Sequence, residues 1–410
     1  MQKKIRFGVL GTLRGRSFIE NIALVEGAEL TAVCDMNRAS LDGIKEIVDD
    51  QVVLFEHFDD FIESGLFDAV VLANFFCEHA PFAIRAMEKG IHVLSETTAA
   101  LTMAECVELC RTVERTGCRY MLAENYPFLS ANLEMKRIYE SGKLGRALYC
   151  EGEYVHPVDK AGLNRLSPGR LHWRNWLPRT YYLTHALSPI LHITGNMPVA
   201  VNTKSVFDPS YFKGTARKCA DILSIMLCEM NDGSLARVTG VAAWGGHGNR
   251  YRICGEKGNV QNLPGSNEEI RLQYNEWDIP HGEQEYNTYS TQAYTDKKLT
   301  ALAEGSGHGG GDFWVVYHFV NYLLHDIEPY FNVYRSCAMS AVGICGLLSS
   351  QNGGTEYRIP DFTKEEDRKP YEHHTASPFP NQNGQADMEC GSKRHEPSKE
   401  DYAKAGQPQQ

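Results

Sequence analysis

The chain has no apolar run long enough to cross a membrane as a helix. The run after Met1-Gln2-Lys3-Lys4 lasts only from Ile5 to Leu10 and reads as a buried first strand rather than a signal peptide. No basic run is long enough to track a phosphate backbone, and with Lys+Arg 41 against Asp+Glu 52 the net charge is -11, which argues against a nucleic-acid partner. There is no internal repeat and no Cys-x-x-Cys pair. The 12 cysteines are scattered, and even Cys106 and Cys110 have the spacing of one helix face, so free thiols in a reducing cytoplasm are expected rather than disulfides. His185 and His192 lack a third ligand at suitable spacing, so no metal site is expected.

What is present is enough apolar sequence, 42% of 410 residues, for two cores. Up to about residue 125, apolar runs of strand length (Ile5–Leu10, Glu29–Cys34, Ala69–Ala73, His92–Ser95, Arg119–Ala123) alternate with stretches of helical spacing. Then the period changes. A helix over Asn132–Ser141 is followed by Ala147–His156, Val201–Val206, Ala220–Glu229, Ser234–Ala242 and Tyr251–Cys254, all of strand character, with helices at Phe313–Leu324 and Ser336–Ser350. The reading is an α/β Rossmann domain (doubly wound parallel sheet) over 1–125, then an α+β domain with a large, mostly antiparallel open sheet over 126–362. Residues 363–410, polar and without apolar periodicity, read as a flexible tail.

Gly11-Thr12-Leu13-Arg14-Gly15 follows the first strand and opens the first helix, where backbone N–H groups can approach a pyrophosphate. Its spacing departs from GxGxxG, since Leu13 and Arg16 stand where glycines are expected, and the Arg14 or Arg16 guanidinium is a candidate phosphate contact. Asp35 ends the second strand, where a carboxylate accepts ribose hydroxyls; it favours NAD over NADP, although Arg38 leaves room for a 2'-phosphate.

The stretch from Asp68 to Glu96 resembles the Gfo/Idh/MocA family of NAD(P)-dependent sugar oxidoreductases, in which a strand ends in Glu-Lys-Pro and the lysine lies near the nicotinamide and the reacting hydroxyl. Here Glu96 is kept, but Thr97 and Thr98 replace the lysine and proline. A neutral hydroxyl supplies no positive charge and carries protons poorly near pH 7, so other residues must do that work. By the same resemblance His79 matches the family's Thr-Pro-x-x-x-His, Asn74 is carried by position, and Glu124-Asn125-Tyr126 matches the run after the last Rossmann strand. The resemblance implies that Asn74, His79, Glu96, Thr97 and Asn125 bind the cofactor.

A second cluster, Trp173-Arg174-Asn175-Trp176 and then Tyr181-Tyr182-Leu183-Thr184-His185, contains the histidine of the family's Asp-x-x-x-His, with Tyr181 at the aspartate position. It is similar to the Tyr-Pro-Thr-His of the family's glycosidase branch, the α-N-acetylgalactosaminidase type, with Leu183 in place of proline. His185, Tyr182 and Tyr181 are the catalytic candidates, an imidazole being suited to proton transfer near neutral pH. Trp173 and Arg174 suit a sugar's apolar face and its hydroxyls, although a helix packed by tryptophan fits as well. His308-Gly309-Gly310-Gly311-Asp312 resembles a His-Gly-Gly-x-Asp stretch of the same branch and makes His308 and Asp312 substrate-binding candidates; it also reads as a linker ending in the helix cap Asp312.

Two activities follow from the resemblance: oxidation of a sugar CH–OH, at C3, by NAD, or a glycoside hydrolase that oxidises, eliminates, adds water and re-reduces with bound NAD. A non-catalytic sugar or nucleotide sensor is a third. The expected partner is a small carbohydrate or glycoside, and the resemblance implies a homo-oligomer formed through the open sheet.

Overall fold

The computed structural model describes residues 4–243, 245–291, 296–381 and 383–406. They form two compact units, each drawn from separate stretches of chain: residues 1–129, 294–337 and 362–373 in the first, and residues 130–293, 338–361 and 374–410 in the second.

The first unit is built on a six-stranded sheet. Its strands are β1 (Ile5–Leu10), β2 (Ala28–Cys34), β3 (Val53–Phe55), β4 (Ala69–Leu72), β5 (His92–Ser95) and β6 (Tyr120–Leu122), in the order β3-β2-β1-β4-β5-β6. Every pairing is parallel. β4 is buried along its whole length, as a central strand covered on both faces must be. The expected strands are there, with β3 added: Val-Leu-Phe is too short to stand out by period. The helix Gly311–His325, some 200 residues downstream, also belongs to this unit. Its Phe313 and Phe319 share a core with Phe18 of the helix Thr12–Ile22 and with Phe7 of β1. Burying one such ring contributes roughly 1.5–3 kcal/mol.

The second unit carries a nine-stranded sheet among the described residues. Its strands are β7 (Ala147–Val155), β8 (Pro198–Phe207), β9 (Asp221–Met230), β10 (Leu235–Ala242), β11 (Gly248–Gly255), β12 (Gly258–Asn262), β13 (Glu269–Tyr274), β14 (Tyr286–Ser290) and β15 (Tyr357–Arg358). All neighbours are antiparallel except β7 and β10. The helix Thr184–Thr194 lies on this sheet, and Gly152 on β7 makes the fit possible. A Cβ there would stand 1.9 Å from the Ala186 carbonyl oxygen, so only glycine admits the helix this close.

The described part of the segment expected to be a flexible tail is packed. Arg368 is buried, its Nη1 donating to Phe362 O at 2.8 Å. Phe379, Cys390 and Tyr402 are buried too. The polar composition misleads here because the segment is held by hydrogen bonds and ion pairs, with one apolar anchor every ten residues or so. The 12 cysteines are free, and among the described residues no helix is long and apolar enough to cross a membrane.

Candidate functional site

At the first unit's glycine turn, Gly11 has φ 87°, and a Cβ on it would come 2.6 Å from Ala73 O at the end of β4. A Cβ on Gly15 already has to fit within 2.8 Å of Val9 Cγ1, so the helix rests tightly on β1. The helix start has no side-chain cap. The Asp35 carboxylate accepts the Thr12 N–H at 2.8 Å and its hydroxyl at 2.7 Å, while its other oxygen accepts the Asn37 N–H at 2.8 Å. Leu13 projects outward, 93% exposed. The turn is thus a close-fitting cradle of backbone with a carboxylate beside it, the arrangement a dinucleotide requires.

Arg14 does not point into that cradle as a phosphate contact. Its Nε donates to Glu96 Oε1 at 2.6 Å, and its two terminal nitrogens bond both oxygens of Asp312 at 2.9 and 2.8 Å. Arg16 pairs instead with Glu20. Asp312 also accepts from Ser17 Oγ at 2.6 Å and Asn125 Nδ2 at 2.7 Å, and His308 Nδ1 stands 3.0 Å away. Burial opposes its charge, but the bonds from Arg14 and His308 outweigh that and hold the carboxyl far below the usual range. His308 and Asp312 therefore gather with Arg14, Glu96 and Asn125, all in the first unit, and the half-exposed His308 takes a left-handed φ of 53° to do so.

Nearby acceptors are left over. Asn74 Oδ1, Asn125 Oδ1 and His79 Nε2 are buried with no hydrogen-bond partner among the described residues. His79 Nδ1 lies 3.0 Å from Thr98 O, and burial lowers its pKa, so the ring is neutral with Nδ1 as donor and Nε2 as a bare acceptor. A bare acceptor in a dry site costs free energy until a donor arrives, and the hydroxyls and carboxamide of a nicotinamide dinucleotide are such donors. The residues present therefore fit NAD. Thr97 is buried, and its N–H donates to Glu96 Oε2 at 3.0 Å.

In the second unit, His185 opens the helix Thr184–Thr194, and its carbonyl is fixed by the Tyr251 hydroxyl at 2.6 Å. Its imidazole stands edge-on to two phenols, Tyr154 at 4.9 Å and Tyr182 at 5.3 Å between ring centroids. Tyr154 in turn stacks on His156, whose Nδ1 is 3.0 Å from that of His247. The cluster grades from the buried His185 through half-buried tyrosines to exposed histidines, a row of proton-bearing groups reaching the surface.

Tyr154, His156 and His247 were not singled out in the sequence. The alternation of β7 puts Tyr154 and His156 on one face, and the antiparallel register Val155↔Gly248 brings His247 beside His156. That first signal is readable from the chain, whereas the register is not. Tyr181 departs from expectation: it is buried, packed edge-on to Phe379 at 5.9 Å, one residue behind the cluster. Trp173 is buried as well, with the Arg174 guanidinium 4.4 Å above its ring.

Residues 5–124 match the profile of the oxidoreductase family with an NAD-binding Rossmann fold, and residues 246–369 that of the glycosyl hydrolase 109 C-terminal domain. A glycosyl hydrolase family 109 protein of Shewanella sp. (strain MR-4) is 25% identical over 88% of this chain and 85% of its own length, and so is an alpha-N-acetylgalactosaminidase of Shewanella oneidensis. Among solved structures, levoglucosan dehydrogenase in complex with NADH and levoglucosan superposes with a TM-score of 0.73 at 16% identity, over 88% of this chain and 100% of that one, a likeness of fold. The chain is thus similar to the Gfo/Idh/MocA oxidoreductases with an NAD-binding Rossmann fold over its first part and to glycosyl hydrolase family 109 proteins along most of its length.

Proposed function

We propose that the protein is an NAD-dependent enzyme that oxidises a secondary alcohol, at C3, of a sugar or glycoside. The observation that carries this reading is the placement of His185 edge-on to Tyr182 and Tyr154, a buried proton-handling group. When bound, NAD supplies a two-electron acceptor for the hydride leaving the carbinol carbon. Glu96, Asn74, His79 and Asn125 would hold it beside the Gly11–Gly15 turn, with Asp35 toward the adenosine ribose. His185, with Tyr182 as its neighbour, accepts the hydroxyl proton as the alcohol becomes a ketone. Arg174, held over the buried Trp173 ring, offers the sugar a donor fork. NAD is favoured over NADP because Asp35 offers a carboxylate toward the ribose hydroxyls and Arg38 is engaged with Glu56 and Asp42.

A second reading carries the reaction further, and the match to the glycosyl hydrolase 109 C-terminal domain favours it. A C3 ketone acidifies the C2 proton, so the same base removes it and the C1 substituent leaves. Water would then add, and a bound cofactor that kept the two electrons would supply what returns the ketone to the alcohol, with no net redox change. Incubation with aryl glycosides in D₂O without added cofactor, read by product mass spectrometry, separates the two. Free sugar with one carbon-bound deuterium supports the hydrolase, and a keto sugar formed only with stoichiometric NAD supports the dehydrogenase; if neither product forms, the proposal fails.

A homo-oligomer through the open sheet is part of the same proposal. Leu227 and Leu235 are exposed and, by the register of β9 and β10, share one face of it. Sedimentation of the native chain against a variant with both changed to Ser tests this, with dissociation expected.

A further inference from the structure

Residues 374–406, beyond the part of the chain matched to the glycosyl hydrolase 109 domain, run as a strap along the second unit. Its fastenings converge on one place. The Ser392 N–H and hydroxyl both bond the buried Asp221 carboxylate, at 2.7 and 2.6 Å. Gln351 Nε2 donates to Glu389 O at 2.7 Å and Gly391 O at 3.0 Å, and Lys218 pairs with Glu396. Two positions before each of these residues stand Cys219 and Cys390, neighbouring thiols that are both almost wholly buried.

Two buried guanidiniums flank this pair. Arg179 Nε donates to Asp221 O, and Arg217 donates to the carbonyls of Arg174 and Leu177. Neither Arg179 Nη2 nor Arg217 Nε has a hydrogen-bond partner among the described residues. Asp221, whose two oxygens accept from Ser392, is the carboxylate these guanidiniums share. The Cys390 hydrogen bond, together with Arg217 and Arg179, lowers the pKa of the Cys219 thiol despite its burial.

We propose that Cys219 and Cys390 form a redox site that peroxide converts to a disulfide, locking the strap onto the sheet. The Cys219 thiolate attacks one peroxide oxygen, breaking the O–O bond; with one proton the leaving hydroxide becomes water, and Cys219 is a sulfenic acid. Cys390 then attacks that sulfur and expels a second water. Two thiols and one hydrogen peroxide become one disulfide and two waters. Local opening of the strap, whose outer contacts are polar, admits the oxidant. The lock also bears on the reaction cluster, since Phe379 of the strap packs on Tyr181, next to Tyr182.

A second group of thiols, Cys106, Cys110 and Cys337 in the first unit, provides the comparison. There burial pushes the thiols of Cys110 and Cys337 far up, which leaves them protonated and slow.

The test is non-reducing peptide mapping of the full native chain titrated with hydrogen peroxide, with amide hydrogen exchange of the strap. We expect the 219–390 cross-link to form before any oxidation at Cys106, Cys110 or Cys337, and exchange over the strap to slow by about tenfold or more. The Cys390→Ser chain should give no cross-link, and Cys345→Ser should behave as the native chain. Oxidation elsewhere first, or no 219–390 cross-link in the native chain, overturns the proposal. Mapping of the native chain decides this even if Cys390→Ser fails to fold.

Discussion

Arg14 and Asp312, 298 positions apart in the chain, form a two-point ion pair at 2.8 and 2.9 Å that ties the helix after the glycine turn to the start of the helix Gly311–His325. Asp312 is 1% exposed, and its oxygens accept five hydrogen bonds, so it is a junction rather than a surface carboxylate.

Asp312→Asn keeps the shape but leaves Arg14 with one buried carboxylate fewer. Removing one partner of a buried pair costs about 3 kcal/mol, so we expect a clear loss of denaturation midpoint. Weaker NAD binding, measured by calorimetry, should accompany it because Glu96 and Asn125 share the network. An unchanged midpoint would refute the role of Asp312 as a junction.

Tyr182→Phe and His185→Ala should each lower turnover by about 10²–10⁴-fold, the usual worth of a positioned proton-transfer group, with affinity for NAD unaltered. If both variants turn over at the native rate, the assignment of the reacting cluster is wrong.

Gly152→Ala puts a methyl group against the Ala186 carbonyl and forces the helix that starts at Thr184 away from β7. We expect about 1–3 kcal/mol of destabilisation in chemical denaturation, together with a fall in turnover as His185 moves from Tyr154.

His318 is packed against Phe128 at 4.8 Å, and burial lowers its pKa to about 4. Between that value and the ordinary one near 6.5, the unfolded chain binds a proton that the folded chain refuses. Its contribution to stability is therefore complete above about pH 6.5 and falls as pH drops toward 4, by on the order of 2–3 kcal/mol. His318→Gln should flatten this part of the pH–stability curve measured by urea denaturation, and an unaltered slope would contradict it.

The sequence by itself determined the two-part plan: the βα alternation to residue 125, the glycine turn with Asp35, Glu96 without its lysine, and the tyrosine–histidine run that ends in His185. These are local signals, carried by period and by spacing within a few dozen residues. Only the tertiary structure decided what depends on contacts distant in sequence. It turned Arg14 toward Asp312, packed Tyr181 edge-on to Phe379, added His156 and His247 to the cluster through the β7–β11 register, and made a packed strap of an apparent tail. A charged side chain has the same composition whether solvated or paired, so its partner is invisible until the chain has folded.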